Sequence, residues 1–93
     1  PNASITREEL IVMTYNFAKM SGADMSASNT AFLQKVDWRT VDSWACDAMV
    51  WATDKGVLNG YDLGDGTFAI GPVDTSTRAQ MAAFAVALVE NVL

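Results

Sequence analysis

The sequence predicts a small all-α fold, a helical module of three main helices joined by long loops. Three segments place apolar residues at helical spacing, and the first and third of them begin with the same capping pattern. Strand signals are weak throughout. With 93 residues, of which 51% are hydrophobic and 18% charged, the chain has the size and composition of one compact domain rather than a disordered segment.

The first predicted helix begins at Thr6 and runs to about Met20. Three apolar residues share one face of it, as is typical of the side of a helix that packs: Leu10, Met13 and Phe17. Thr6 and Glu9 match a capping box, in which the hydroxyl accepts a hydrogen bond from a free backbone N–H and the carboxylate accepts one from the N–H of the cap residue. Ser21 and Gly22 then end the helix.

The second predicted helix begins near Asp42 or Ser43 and ends at Gly56, which stands where a C-terminal cap is expected. Its apolar stripe contains two tryptophans and two alanines: Trp44, Ala48, Trp51 and Ala52. Both tryptophans are therefore expected in the core. Cys46 is expected to be a small buried hydrophobic residue.

Two long loops connect the helices. Residues 23–41 are predicted to be a loop with a short helical turn that carries aromatic residues into the core. After the second helix, turn signals at residues 59–60 and 64–66 precede residues 67–70, which form at most a short extended segment.

The third predicted helix begins at Thr77 and runs to the end of the chain. It repeats the features of the first helix, because Thr77 and Gln80 match the capping box and three apolar residues recur at the same spacing: Met81, Phe84 and Leu88. The cap, the arginine after it and the three apolar positions coincide at an offset of 71 residues, which is 77 minus 6. This correspondence indicates an internal repeat.

Composition disfavours several classes of function. Eleven acidic residues against six basic ones give a formal charge of −5, and nucleic-acid binding needs clustered Lys and Arg instead. No segment approaches the ~20 apolar residues that span a bilayer, so no membrane insertion is expected. The absence of histidine removes the usual general base and the commonest metal ligand. We therefore expect no enzyme activity, no cofactor and no metal site.

Arg7 and Arg78 are the candidate ligand-binding residues. Each follows a cap residue in the first turn of a helix, where unpaired N–H groups already favour an anion, and a guanidinium there is suited to bidentate capture of a carboxylate. The alternative is a salt bridge with a local acid such as Glu8 or Asp74. Trp38 lies in a loop without periodicity, and its role is balanced between stacking on a sugar and packing in the core.

Several spaced motifs resemble the repeats of a known family. Residues 5–9, Ile-Thr-Arg-Glu-Glu, resemble the Ile-Thr-Arg-Ala-Glu signature of S-layer homology domains, and residues 76–80, Ser-Thr-Arg-Ala-Gln, resemble a second copy of it. Between them, the motifs follow the body of one such repeat in order: Trp44-Ala45, Ala48, Trp51-Ala52, Lys55-Gly56-Val57, Asn59-Gly60 and Asp65-Gly66-Thr67-Phe68. The departures from the pattern include three residues that stand where the family has an aromatic residue, isoleucine and glutamate: Lys35, Ser76 and Gln80.

The resemblance implies that residues 1–21 are the closing helix of a preceding repeat and that residues 22–93 are one complete repeat. Because the sequence starts at Pro1 without a methionine, we expect it to be a piece of a longer protein. The implied role is non-catalytic. Such domains anchor exported proteins to anionic, often pyruvylated, secondary cell-wall polysaccharide, which implies an extracellular place at the bacterial cell surface.

The resemblance also implies which residues bind the polysaccharide. The signature arginine of the family contacts the acidic sugar in a groove between neighbouring repeats, which implicates Arg7 and Arg78. Thr6 and Thr77 would order the helix ends that frame the site, and Trp38 is the candidate for stacking on a sugar face. Family members commonly combine three repeats around a pseudo-threefold axis, so one and a half repeats form at most one complete groove.

The alternative function is a surface-exposed helical interaction or spacer module. The third helix has little polar face, because six further positions on it are apolar: Ala82, Ala83, Ala85, Val86, Ala87 and Val89. A helix that is apolar nearly all round needs partners on more than one side. This pattern favours self-association, or packing on neighbouring repeats, without glycan binding.

Overall fold

Helices dominate the structure, a computed structural model that describes residues 5–92. The helices are α1 (Arg7–Met20), α2 (Thr30–Leu33), α3 (Cys46–Asp54) and α4 (Arg78–Asn91), and two 3-10 turns cover Trp38–Thr40 and Ser43–Ala45. Two short strands, β1 (Tyr61–Asp62) and β2 (Phe68–Ala69), pair as an antiparallel hairpin. The fold is thus mostly helical, as predicted, with a small sheet that the all-α prediction left out. None of the described helices is long and apolar enough to cross a bilayer.

The three main predicted helices correspond to α1, α3 and α4. Thr6 caps α1, because its Oγ1 accepts from the Glu9 N–H at 3.2 Å while Glu9 Oε1 accepts from the Thr6 N–H at 2.9 Å. Thr77 caps α4 through Gln80 in the same way, at 3.1 and 3.0 Å. Both predicted capping boxes are confirmed. Residues 1–4, which belong to the predicted range 1–21, and Leu93, at the end of the third predicted helix, lie outside the described residues.

The start of α3 differs from the prediction, because residues 43–45 form a 3-10 turn ahead of it. A 3-10 turn has about three residues per turn, so Trp44 leaves the stripe that a continuous α-helix would give it. Trp44 is 57% exposed, and its expected place in the core is wrong, whereas Trp51 is 1% exposed and confirmed as core. Cys46, expected to be buried, is half-buried. Gly56 follows the helix with a φ of 74°, as its predicted capping role requires.

α1 packs with a different face from the one predicted. Met13 is 60% exposed and Phe17 is 55% exposed, so the expectation that their face packs is wrong. The buried positions lie on a neighbouring face of the helix, which packs on α3 and on the 3-10 turn before it: Arg7, Glu8, Ile11 and Ala18. On α4, Phe84 and Leu88 are buried as predicted, but Met81 stays partly exposed. A helix that is apolar on two sides does not specify by periodicity which side is covered.

Trp51 joins α3 to α1 and to the loop between α1 and α2. Its ring meets the ring of Tyr15 edge-on, with centroids 5.6 Å apart, and its Nε1 donates to the Asp24 carbonyl at 3.3 Å. The core around it takes residues from all four helices and from the segments after α3 and β2. Phe32 in α2 is buried, which confirms that the loop of residues 23–41 carries an aromatic residue into the core.

The beginning of α1 docks beside the beginning of α4. Thr6 forms an antiparallel bridge with Thr75, and the next two N–H groups of α1 donate to the carbonyls of Asp74 and Pro72, each at 2.9 Å. These N–H groups have no partner inside their own helix, so the bonds satisfy donors that the first turn leaves free. The two Thr-Arg helix starts are therefore neighbours in the fold.

Asp37 fixes the exit of the hairpin. Its Oδ1 accepts from the Ile70 N–H at 2.8 Å and its Oδ2 accepts from the Gly71 N–H at 2.9 Å. The Val36 N–H donates to the Phe68 carbonyl at 2.9 Å next to them. Together these bonds hold the carbonyl of Ile70 in a fixed position, which matters for the site described next.

Candidate functional site: the Arg7 cleft

Arg7 lies in a cleft between α1, α4 and the segment that leads into β1. The cleft has a volume of about 290 Å³. Besides Arg7, its lining combines small and apolar residues with three polar side chains: Val57, Leu58, Asn59, Gly60, Tyr61, Gln80, Ala83, Phe84 and Ala87. We call this site the Arg7 cleft.

The guanidinium of Arg7 is held between two rings and one carbonyl. Its Nε donates to the Ile70 carbonyl at 2.8 Å, and its central carbon lies 4.4 Å from the centroid of the Tyr61 ring and 5.3 Å from that of Phe84. The residue as a whole is only 3% exposed. The contacts fix the orientation of a planar group that presents several further donors.

The charge of Arg7 is buried without an ion-pair partner among residues 5–92, since no described carboxylate lies within 4.0 Å of it. Burial lowers the pKa of Arg7, while Tyr61, Asp74 and Asp37 act in the opposite direction. Both oxygens of Asp37 are already engaged by the Ile70 and Gly71 N–H groups. Arginine keeps its proton at neutral pH in proteins, so the cleft contains a fixed positive charge.

Besides its bond from Nε, the guanidinium of Arg7 interacts with the side chain of Tyr61, which helps to keep it protonated. Of the bonds between described residues, the one that the guanidinium donates with standard geometry comes from Nε. Neither terminal nitrogen of Arg7 is a buried atom without a hydrogen-bond partner. An anion that entered the cleft could accept hydrogen bonds from the terminal nitrogens of Arg7 in competition with the Tyr61 side chain.

Gln80 positions the rim of the cleft. Its Oε1 accepts from the Thr77 N–H at 3.0 Å as part of the capping box, and its Nε2 donates to the Tyr61 hydroxyl at 3.2 Å. The family signature has a glutamate here, which would add a negative charge beside Arg7. The amide therefore keeps the capping function while leaving the cleft without a competing carboxylate.

The other predicted site residues lie around the cleft or away from it. Thr6 and Thr77 cap the two adjacent helices, as expected. Arg78 is exposed in the first turn of α4 and does not line the cleft. Trp38 is half-buried against Phe32, with ring centroids 5.9 Å apart, and does not line it either. Of the predicted ligand-binding residues, Arg7 therefore lines the cleft, Thr6 and Thr77 cap the adjacent helices, and Arg78 and Trp38 lie outside the lining.

Tyr61, Asn59 and Gln80 are the polar lining residues that the sequence did not single out as ligand contacts. The sequence did contain a signal for Asn59 and Tyr61, because Asn59-Gly60 is a turn motif and Tyr61 directly follows it. The salt bridges considered for Arg7 and Arg78 are not found among the described residues. Residues 5–92 also contain no group of three His, Cys, Asp or Glu side chains arranged for a metal ion.

The sequence profile of the S-layer homology domain matches residues 36–82. This span contains 47 residues, which is 82 minus 36 plus 1, and so covers half of the 93-residue chain. The chain belongs to the S-layer homology family. Searches among curated proteins and among solved structures gave no match.

Membership of the S-layer homology family indicates the general role of the chain. The family is one of binding domains that attach proteins to the cell wall and cell surface, and it is not a catalytic family. The matched residues include α3, the hairpin and the first turn of α4 with Arg78, but not α1 with Arg7. The division into residues 1–21 and 22–93 stays a prediction.

Proposed function

We propose that this S-layer homology domain anchors an exported protein to an anionic secondary cell-wall polysaccharide through the Arg7 cleft. The observation that carries the proposal is a buried guanidinium with no ion-pair partner among residues 5–92, on a residue that lines the cleft. A buried charge without a partner is costly to a fold, and a ligand carboxylate offsets that cost.

The chemistry of the cleft suits an acidic sugar substituent such as a pyruvyl carboxylate. A carboxylate fits the donors of a guanidinium in a bidentate manner, and the low polarity of the surroundings strengthens the pair. The apolar faces of Phe84 and Leu58 suit the aliphatic part of a pyranose or ketal, and Asn59 supplies an amide for a hydroxyl. The expected location is the bacterial cell surface.

The remaining predicted residues have supporting roles in this proposal. Thr6 and Thr77 order the helix starts that frame the cleft, because they fix the first turns of α1 and α4. Arg78 adds an exposed cation on the same side of the fold as the helix starts, and Trp38 offers an aromatic face at a distance from the cleft. Neither of the latter two lines the Arg7 cleft, so we expect smaller contributions from them.

Replacing Arg7 tests the proposal. In co-sedimentation with purified wall polysaccharide, Arg7→Gln is expected to lower affinity by about tenfold or more, because a charge-assisted hydrogen bond contributes about 1.5–3 kcal/mol. Polysaccharide from which the pyruvyl groups have been removed chemically should bind wild type and Arg7→Gln equally weakly. Arg78→Ala is expected to have a smaller effect, and Lys19→Ala, at an exposed cation at the far end of α1, none.

A second variant separates binding from folding, because Arg7 is buried and its loss also affects stability. Gln80→Glu keeps an acceptor for the Thr77 N–H but places a carboxylate beside the guanidinium. We expect it to fold with an unchanged circular dichroism spectrum and to bind the polysaccharide several times more weakly. Undiminished binding by both Gln80→Glu and a folded Arg7→Gln would remove the cleft from the mechanism.

A second candidate function is supported by the exposed apolar residues of α4. Val86 is 54% exposed and Val89 is 63% exposed, and Met13 and Phe17 of α1 are exposed to a similar degree. Such residues suit an interaction or spacer module that self-associates or packs on neighbouring repeats without binding glycan. Light scattering at increasing concentration tests self-association, since a rising mass supports it and a constant monomer mass excludes it.

A further inference from the structure

Glu8 places a carboxyl group in the interior at the start of α1. The residue is 2% exposed, and its Oε1 accepts a hydrogen bond from the Asp42 N–H at 3.2 Å. The carboxyl group also forms a hydrogen bond with the side chain of Asp42, which is an exposed residue. Two carboxylates in contact repel each other, so one of the two groups holds a proton. Because burial disfavours the charged form, that group is Glu8.

The surroundings of Glu8 favour the same protonated form. Burial and then the bond with the Asp42 side chain raise the pKa of Glu8 to about 7, although the bond from the Asp42 N–H acts to lower it. The charges of Asp42, across the contact, and of Glu9, on the same helix, add to the rise. The other charged residues of α3, of α4 and of residues 72–75 are exposed: Asp47, Asp54, Asp74, Arg78 and Glu90. Glu8 can therefore change its charge near neutral pH in a chain without histidine, the residue that usually does so.

The first turn of α1 positions Arg7 as well as Glu8. The Arg7 N–H donates to the Asp74 carbonyl at 2.9 Å, and Arg7 Nε donates to the Ile70 carbonyl at 2.8 Å. Repulsion between an ionised Glu8 and an ionised Asp42 would act on this same turn. A shift of the turn would disturb the bonds that orient the guanidinium, because backbone and side chain of Arg7 are both bonded to residues 70–74.

We propose that Glu8 and Asp42 form a proton-dependent latch on the Arg7 cleft: a protonated Glu8 holds the start of α1 in place, and its ionisation loosens the turn and weakens anion binding in the cleft. The effect on binding rests on the proposed function, whereas the latch itself needs no ligand. An acidic sugar does not contribute to the change, because α-carboxyl groups have a pKa of about 3.5 and stay ionised near neutral pH. The family signature has alanine at this position, so the latch belongs to this chain.

Amide hydrogen exchange without ligand tests the latch. At pH 6 and pH 8, about one unit on either side of the pKa of Glu8, we expect the Arg7 and Glu8 amides to be several-fold better protected at pH 6, after correction for the intrinsic exchange rates. In Glu8→Gln, whose side-chain oxygen can still accept from the Asp42 N–H, protection should be the same at both pH values. Glu9→Gln should behave as wild type, because Gln80 shows that glutamine serves in this capping position. Equal protection at both pH values in wild type would overturn the inference.

A second pair of variants separates the contact with Asp42 from burial alone. Asp42→Asn removes the facing charge but leaves Glu8 buried, so the change in protection should persist with its midpoint at a lower pH than in wild type. Asp47→Asn, at an exposed acid in the first turn of α3, should leave the midpoint where it is in wild type. A midpoint that Asp42→Asn does not move would show that the two carboxyl groups do not act as a pair.

Binding at the same two pH values tests the connection to the Arg7 cleft. Wild type is expected to bind purified wall polysaccharide several-fold more weakly at pH 8 than at pH 6, whereas Glu8→Gln should bind equally at both. Equal binding by wild type at both pH values would overturn the effect of the latch on the cleft. An absence of binding at either pH would instead contradict the proposed function, and the exchange measurements would still decide whether Glu8 and Asp42 form the latch.

Discussion

Two adjacent charged residues of α1 are buried and meet different surroundings. Arg7 donates to a carbonyl, lies between two rings and lines a cleft. Glu8 is 2% exposed and accepts a hydrogen bond from the Asp42 N–H at 3.2 Å. The family signature has alanine where Glu8 stands, and the corresponding residue of α4 is Ala79. Glu8 is therefore a feature of this chain rather than of the repeat.

The buried position of Glu8 makes stability depend on pH. Burial, a hydrogen bond with the Asp42 side chain and the nearby charges of Asp42 and Glu9 raise the pKa of Glu8 from 4.5 to about 7, against the lowering effect of the bond from the Asp42 N–H. Because the folded state holds this proton more tightly than the unfolded state does, the associated stability is present below pH 4.5 and is lost as the pH rises through about 7.

Glu8→Gln is accordingly expected to flatten the dependence of the unfolding free energy on pH between about 4.5 and 7, and to make the protein more stable than wild type at pH 8. Urea unfolding followed by circular dichroism measures both effects. Glu9→Gln is the matched control. Hydrogen bonds from Thr6 lower the pKa of Glu9 from 4.5, so the contribution of Glu9 to stability changes only below that pH. If the unfolding free energy of Glu8→Gln depended on pH as steeply as that of wild type, Glu8 would not be the source of this pH dependence.

At the scale of the secondary-structure element, the hairpin depends on the glycine before β1. Gly60 has a φ of 88°, and a Cβ on it would lie 2.7 Å from the Ala69 carbonyl oxygen of the paired strand. The close approach lets Tyr61 pair with Ala69, which brings the Tyr61 ring against Arg7. Gly64, in the turn of the same hairpin, has a φ of 85° but nothing near its Cβ position.

Comparison of the two glycines separates backbone strain from collision. Gly64→Ala is expected to cost about 1–2 kcal/mol, the strain of a left-handed residue with a side chain. Gly60→Ala should cost more, because its Cβ would also collide with the backbone of the paired strand, which has little room to move. It should further weaken polysaccharide binding, because Tyr61 would be displaced. Chemical unfolding of both variants provides the measurement, and equal costs would show that the strand can shift.

At the scale of the whole molecule, one tryptophan connects three parts of the chain. Trp51 extends from α3 to Tyr15 of α1 and to the carbonyl of Asp24 in the following loop. Trp44 lies earlier in the chain, in the 3-10 turn before α3, and is largely exposed. The two tryptophans are seven residues apart, one exposed and one buried, which makes them a matched pair.

Trp51→Ala is expected to cost about 3–5 kcal/mol, as large core truncations do, because the cavity would lie between α1, α3 and the loop. Trp44→Ala should stay within about 0.5 kcal/mol of wild type, as surface substitutions away from special features do. Unfolding in urea, followed by circular dichroism rather than by tryptophan fluorescence, compares the two. A loss from Trp44→Ala that matched the loss from Trp51→Ala would place both rings in the core.

Local sequence was sufficient for the features that depend on neighbouring residues. The capping boxes at Thr6 and Thr77 follow from side chains three residues away, and the turn at Gly56 follows from its missing Cβ. The repeat offset and the motifs between its ends indicated the S-layer homology family, which the match over residues 36–82 shows. Arg7 could be selected as a ligand candidate from its place in the signature alone, and its role as a ligand stays a proposal.

Tertiary structure alone decided which side of each helix is covered. α1 and α4 carry the same pattern of residues, yet Met13 and Phe17 are exposed while Phe84 and Leu88 are buried, because burial depends on which elements of the fold pack beside each helix. The cleft was equally hidden from the sequence, since Arg7, Tyr61 and Gln80 lie far apart in the chain and meet only when the start of α1 docks beside α4. The periodicity of a helix shows which of its faces could pack, and the fold determines which of those faces is covered.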